Sequence, residues 1–129
     1  MELVWSVKSA AFSPELDEGE LVNPGLGGRK LAFFLKSALE ERGVAVNQPR
    51  AEDWGWRLEL RFEGRRFWAG CGAVAGESES FLVFLKPRRG LRGLLAGAVW
   101  RESFARLSAI IEGLLLEHPQ VRDLSEEQA

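Results

Sequence analysis

Histidine and cysteine occur once each, as His118 and Cys71, and that scarcity limits the chemistry available to the chain. A single cysteine excludes an internal disulfide and fits a reducing compartment, so a cytoplasmic location is the expectation. A single histidine excludes a His-rich metal site. No stretch calls for a metal or a cofactor. No apolar run approaches the roughly 18 residues that a membrane-spanning helix needs. The stretch from Met1 to Lys8 has no basic region and no continuous apolar run, so it does not read as a signal peptide. Neither sign of charge dominates. Lys and Arg total 17 against 19 Asp and Glu, a net charge of -2, so no global field draws in nucleic acid or an anionic membrane.

What is present is enough for a core. The 129 residues are 46% hydrophobic and 28% charged, which fits one folded domain over 1–129 with no need of disulfide or metal. The clearest pattern runs from Trp54 to Ala75. Trp54, Trp56, Leu58, Leu60 and Phe62 alternate with Gly55, Arg57, Glu59 and Arg61. Alternation puts the large apolar side chains on one face of a strand and the charges on the other. Glu63-Gly64 then marks a hairpin, because glycine accepts the positive φ of a tight turn. A two-residue loop places Leu58 opposite Ala69 and Trp56 opposite Cys71. A four-residue loop places Phe62 opposite Phe67. In either register Phe67, Ala69, Cys71 and Ala73 join the apolar face, while Trp68, Gly70 and Gly72 join Arg57, Glu59 and Arg61.

The remaining elements follow in order. Leu3, Trp5 and Val7 point inward from a strand over about 2–12, which Pro14 ends. Residues 13–26 form an acidic loop carrying Glu15, Asp17, Glu18 and Glu20, with room for a short strand at Glu20-Leu21-Val22. Gly27 to Arg42 is a helix, because Leu31, Phe34, Leu35, Ala38 and Leu39 make one stripe. Gly43 suits the position just past its end. Val44-Ala45-Val46 is a short strand, and Gln48 to Asp53 is a turn. Phe81 to Leu85 is apolar on both faces, hence a strand interior to the sheet. Trp100 to Glu117 is a second helix with Phe104, Leu107, Ile111 and Leu115 in register, stopped by Pro119. From about 120 the chain reads as a frayed polar tail. The order β-α-β-β-β-β-α predicts an α+β two-layer sandwich: one mainly antiparallel sheet of four or five strands with two helices on one face.

Candidate sites are then weighed residue by residue. His118 reads as a helix-end residue facing water. Cys71 reads as buried packing, and nothing in the spacing pairs it with His118 as a nucleophile. Glu52 and Asp53 are adjacent, and adjacent side chains diverge, which argues against a shared acid–base role. Gly25 to Lys30 opens the first helix but matches neither phosphate-loop nor dinucleotide spacing, so it reads as a glycine entry to the helix. These inventories weigh against an enzyme.

Two surfaces stand out. Trp68, Arg57, Arg61, Gly70 and Gly72 share the outer sheet face, and Trp and Arg are frequent at binding hot spots. Lys86, Arg88, Arg89 and Arg92 form a second, basic patch in a glycine-rich connection; the overall acidity and the lack of interleaved aromatics weigh against nucleic acid. The expected function is a non-catalytic interaction module that binds a protein partner, or itself, through the outer face. The alternative is a carrier of a small apolar ligand, held between sheet and helices by Trp54, Trp56 and Phe34.

Overall fold

A computed structural model describes residues 2–14, 27–77, 79–88 and 97–127. The fold is α+β, with two helices and a mainly antiparallel sheet. The elements are β1 (Leu3–Ser9), a 3-10 turn (Ala10–Phe12), α1 (Arg29–Glu41), β2 (Ala45–Val46), β3 (Arg50–Glu52), β4 (Gly55–Phe62), β5 (Arg65–Ala73), β6 (Ser80–Pro87), α2 (Gly97–Glu117) and β7 (Val121–Glu127). The sheet has seven strands in the order β2-β4-β5-β6-β1-β7, with β3 also paired to β4. The sequence-based count of four or five falls short because β3 and β7 were read as turn and tail.

The β4–β5 hairpin adopts the two-residue loop, with Phe62 opposite Arg65, Leu60 opposite Phe67, Leu58 opposite Ala69 and Trp56 opposite Cys71. Glu63 at φ 52° and Gly64 at φ 74° are both left-handed, the geometry whose twist matches the flanking strands. Among the described residues Glu63 is the non-glycine at positive φ, and its side chain is tied down. Ser103 Oγ donates to Glu63 Oε1 at 2.7 Å, and Arg106 donates to both carboxylate oxygens at 2.7 and 2.8 Å. These bonds fasten the hairpin tip to α2.

Both helices lie on the inner face. Trp56, Leu58, Leu60, Phe67, Ala69, Cys71, Val83 and Leu85 from the sheet meet Leu31, Leu35, Leu39, Leu107 and Ile111 in one buried cluster. Of the residues expected on the inner face, Trp54 is absent from this cluster. The entry to α1 is more than a flexible glycine stretch. Gly28 sits at φ 125°, and a Cβ there would lie 2.6 Å from the Cys71 carbonyl oxygen, so only glycine lets the helix start this close to β5. The Ala73 N–H donates to the Gly27 carbonyl at 3.1 Å, fixing the same approach.

The frayed tail expected from about 120 is instead strand β7, antiparallel to β1. Ser9 Oγ anchors its start by donating to the Gln120 carbonyl at 2.7 Å. The turn expected over Gln48 to Asp53 contains strand β3, so only Asp53 and Trp54 form the loop before β4. The proposed short strand at Glu20-Leu21-Val22 and most of the acidic loop lie outside the described residues.

Candidate functional site

The outer sheet face is built by the strand positions that alternate with the core. Arg57, Glu59 and Arg61 on β4 stand opposite Gly70, Trp68 and Arg66 on β5, and Gly70 and Trp68 stand opposite Phe84 and Lys86 on β6. The structure therefore brings Trp68, Arg57, Arg61, Gly70 and Gly72 onto one face. Among the described residues, both helices lie on the other side.

The glycines leave no open ground beside Trp68. The Phe84 ring covers Gly70 so closely that a Cβ would meet its Cζ at 2.2 Å, and a Cβ on Gly72 would lie 2.8 Å from the Trp54 carbonyl oxygen. Small residues fit there because the Phe84 ring covers Gly70 and the backbone at Trp54 covers Gly72.

Those neighbours form a cluster. Ring centroids are 5.1 Å apart for Trp54 and Phe84, 5.3 Å for Trp68 and Phe84, and 6.2 Å for Trp54 and Trp68. Strand alternation had placed Trp54 in the core beside Trp56. It lies instead in the β3–β4 loop, where Gly55 at φ 151° breaks the alternation and turns the indole outward. Trp54, Gly72, Ala73, Leu82 and Phe84 line a shallow apolar groove of about 250 Å³. The Asp53-Trp54-Gly55 sequence carried the signal, since aspartate and glycine both favour turns.

Cations rim the cluster. The Arg57 guanidinium lies 4.2 Å from the Trp68 ring centroid and the Lys86 ammonium 5.4 Å. Arg57 also donates to Glu59 Oε1 at 2.8 Å, while Arg88 reaches Glu59 Oε2 at 3.0 Å. Partial burial pushes the Glu59 carboxyl up, but the hydrogen bonds and charges of Arg57 and Arg88 outweigh it and hold the group below its ordinary value. Lys86 pairs with Glu2 at 3.3 Å. Thus Lys86 and Arg88 of the basic patch belong to this face, whereas Arg89 and Arg92 lie outside the described residues.

The other candidates are dispersed. Cys71 is fully buried, and burial pushes its thiol well above the usual range. His118 does not simply face water: its ring lies 5.1 Å from Phe12 and 4.8 Å from Phe34, and Nδ1 accepts from the Gln120 N–H at 3.1 Å. Glu52 lies on β3, 3.7 Å from Arg50. Trp54 lies on the opposite face from Trp56 and Phe34, so these three do not line one pocket. A different groove, of about 420 Å³, runs between β1 and α2, with Leu3, Trp5 and Phe104 as its apolar lining and Glu112 and Glu126 among its polar residues. Among the described residues no group of three His, Cys, Asp or Glu side chains could hold a metal ion, and no helix is long and apolar enough to cross a membrane. No protein-family model, curated protein or solved structure matches the chain.

Proposed function

We propose that this chain is a non-catalytic binding module whose outer sheet face docks an acidic segment of a protein partner through the Trp54–Trp68–Phe84 cluster. The observation that carries this reading is the guanidinium of Arg57 stacked on Trp68 beside those rings. An aromatic anchor site rimmed by arginine has the composition of an interface hot spot. Charge decides between a partner and a second copy. The chain as a whole is at -2, yet around the cluster and the hairpin end of this face Arg57, Arg61, Arg66, Lys86 and Arg88 crowd against Glu59 and Glu2, while Asp123 and Glu127 lie at the far β7 edge. A two-fold dimer would press that patch against itself. An acidic partner meets it with opposite sign, which also speeds association.

The test is site-specific photo-crosslinking from a probe at Lys86, with sedimentation of the purified chain over a wide concentration range. The expected result is a monomer that crosslinks an acidic protein, with the product lost in Trp68→Ala and Arg57→Ala and retained in Leu116→Ala, a change at an exposed helix position. Crosslinking indifferent to Trp68 and Arg57 defeats the reading. A dimer that Trp68→Ala dissociates makes the occupant a second copy.

A further inference from the structure

The hairpin end of the outer face carries a second feature, separate from the aromatic cluster. Arg61 and Arg66 stand directly opposite each other across β4 and β5. Like charges in that position repel and weaken a sheet. Neither makes an ion pair with a described residue. The Arg88 N–H donates to the Arg66 carbonyl at 2.8 Å, which continues the sheet one residue past β6 and brings a third guanidinium alongside. Ala45 and Asn47 close the far side, and the Asn47 N–H donates to the Glu59 carbonyl at 3.1 Å. Ala45, Asn47, Glu59, Leu60, Arg61, Arg66 and Arg88 together enclose a pocket of about 350 Å³.

Charge in this pocket is unbalanced. Among the described residues Glu59 is its sole carboxylate, and both of its oxygens are engaged, one by Arg57 and one by Arg88. It pairs with neither Arg61 nor Arg66. We infer that the pocket is a binding site for a phosphate monoester dianion, held between the guanidinium groups of Arg61 and Arg66 with Arg88 as the third donor. A carboxylate offers two oxygens and one charge, which a single arginine fork already satisfies. A phosphate monoester carries up to two charges and three strong acceptor oxygens, matching two arginines that pair with no described carboxylate and a third beside them. Its binding also relieves the cross-strand repulsion. This inference does not depend on the docking reading, although a phosphorylated side chain next to an apolar anchor would satisfy both sites at once.

Calorimetric titration with phenyl phosphate tests it, with glutarate as the dicarboxylate comparison and Arg101→Gln, on the exposed side of α2, as the control variant. One-to-one binding is expected, weakened about tenfold by either Arg61→Gln or Arg66→Gln, as for loss of one charge-assisted hydrogen bond. Arg101→Gln should leave it unchanged, and glutarate should bind more weakly. A second readout guards against misfolding. Arg66→Gln should match or exceed the wild-type melting temperature without ligand, because repulsion is relieved, and should lose the rise that phenyl phosphate gives the wild type. Equal loss in Arg101→Gln, or binding indifferent to Arg61 and Arg66, overturns the site. Trp68→Ala separates the two proposals: it should abolish partner crosslinking and spare phenyl phosphate binding. If phenyl phosphate binds through Arg61 and Arg66 while no crosslink depends on Trp68, the docking reading alone fails, and the pocket serves a free phosphate ester.

Discussion

Arg57 stacks on Trp68 from the neighbouring strand, its guanidinium carbon 4.2 Å from the ring centroid, while its Nε donates to Glu59 at 2.8 Å. One side chain thus joins the aromatic cluster to the ionic network. Glu59 is central to that network, since its other oxygen holds Arg88. From alternation alone Glu59 is a neutral surface position whose loss costs within roughly 0.5 kcal/mol. Its two arginine partners raise that expectation. Glu59→Ala should cost about 1 kcal/mol by urea denaturation at low salt, and less at high salt, because it leaves the face with unbalanced cations.

The opposite face sets the contrast. Leu58 adjoins Glu59 in sequence but has 0% exposure and lies between the sheet and the helices. Leu58→Ala should cost about 2–5 kcal/mol, the range for a buried leucine whose cavity the surroundings cannot close. Equal denaturation midpoints for Leu58→Ala and Glu59→Ala would contradict the assignment of faces.

Cys71 tests the tightness of the same layer. Its thiol is fully buried, and burial pushes its pKa up, so little thiolate forms near neutrality. A thiol reagent at neutral pH should label the native chain slowly and the urea-unfolded chain at once. Rapid stoichiometric labelling of the native chain would restore Cys71 as a candidate nucleophile.

The hairpin was legible because two independent signals agreed on it: strict alternation over Trp56 to Phe62, and a glycine where the turn requires positive φ. Trp54 was misread because alternation was carried through Gly55, where the backbone turns and the parity lapses. Strand β7 escaped for a related reason. Val121 and Leu124 both pack against the core, yet they are three residues apart, which no period of two predicts. A register shift between Lys8 and Ser9 supplies the missing residue: Leu124 pairs with Val7 and Val121 with Ser9. The extra residue, Arg122, is on β7 itself, so a bulge in that strand hid its own periodicity. The aromatic cluster was legible only in part. Trp68 followed from pairing, but Phe84 over Gly70 needed the register of β5 on β6. Arg66 shares the parity of Trp68 and was equally available from the sequence. What singles it out is its direct apposition to Arg61.

The β7 finding is itself testable by truncation after Gln120. Val121 and Leu124 are half-buried against the core, and their loss should cost roughly 2 kcal/mol from apolar burial alone. The more telling effect is on β1. Without β7 its outer edge, including Val4 and Ser6, becomes unpaired backbone, and exposed edges template association. Size-exclusion chromatography should show oligomers or aggregates at concentrations where the full chain does not. A truncated chain of unchanged stability and size would return this segment to the status of a tail.

Glu63 gives the fold a pH dependence whose direction is fixed by its partners. The hydrogen bonds from Arg106 and then Ser103 draw its carboxyl down from an ordinary 4.5 to about 2, against a smaller opposing effect of burial. A carboxyl whose folded value lies below its unfolded value contributes stability that is fully present above the unfolded value. That contribution shrinks as pH falls and is gone below the folded value. The window is therefore about pH 4.5 down to about pH 2. Solvent reaches this site, so the effect is a modest slope in stability and not a collapse. In urea titrations across that window the wild type should lose stability more steeply than Glu63→Gln, and the two curves should converge at the acidic end. Arg106→Gln should flatten the wild-type slope in the same window, since it removes the main cause of the shift. Ser103→Ala should flatten it less, leaving the bidentate arginine in place. If Glu63→Gln and the wild type ran parallel from pH 5 to pH 2, the bond between hairpin tip and α2 would carry no weight in solution.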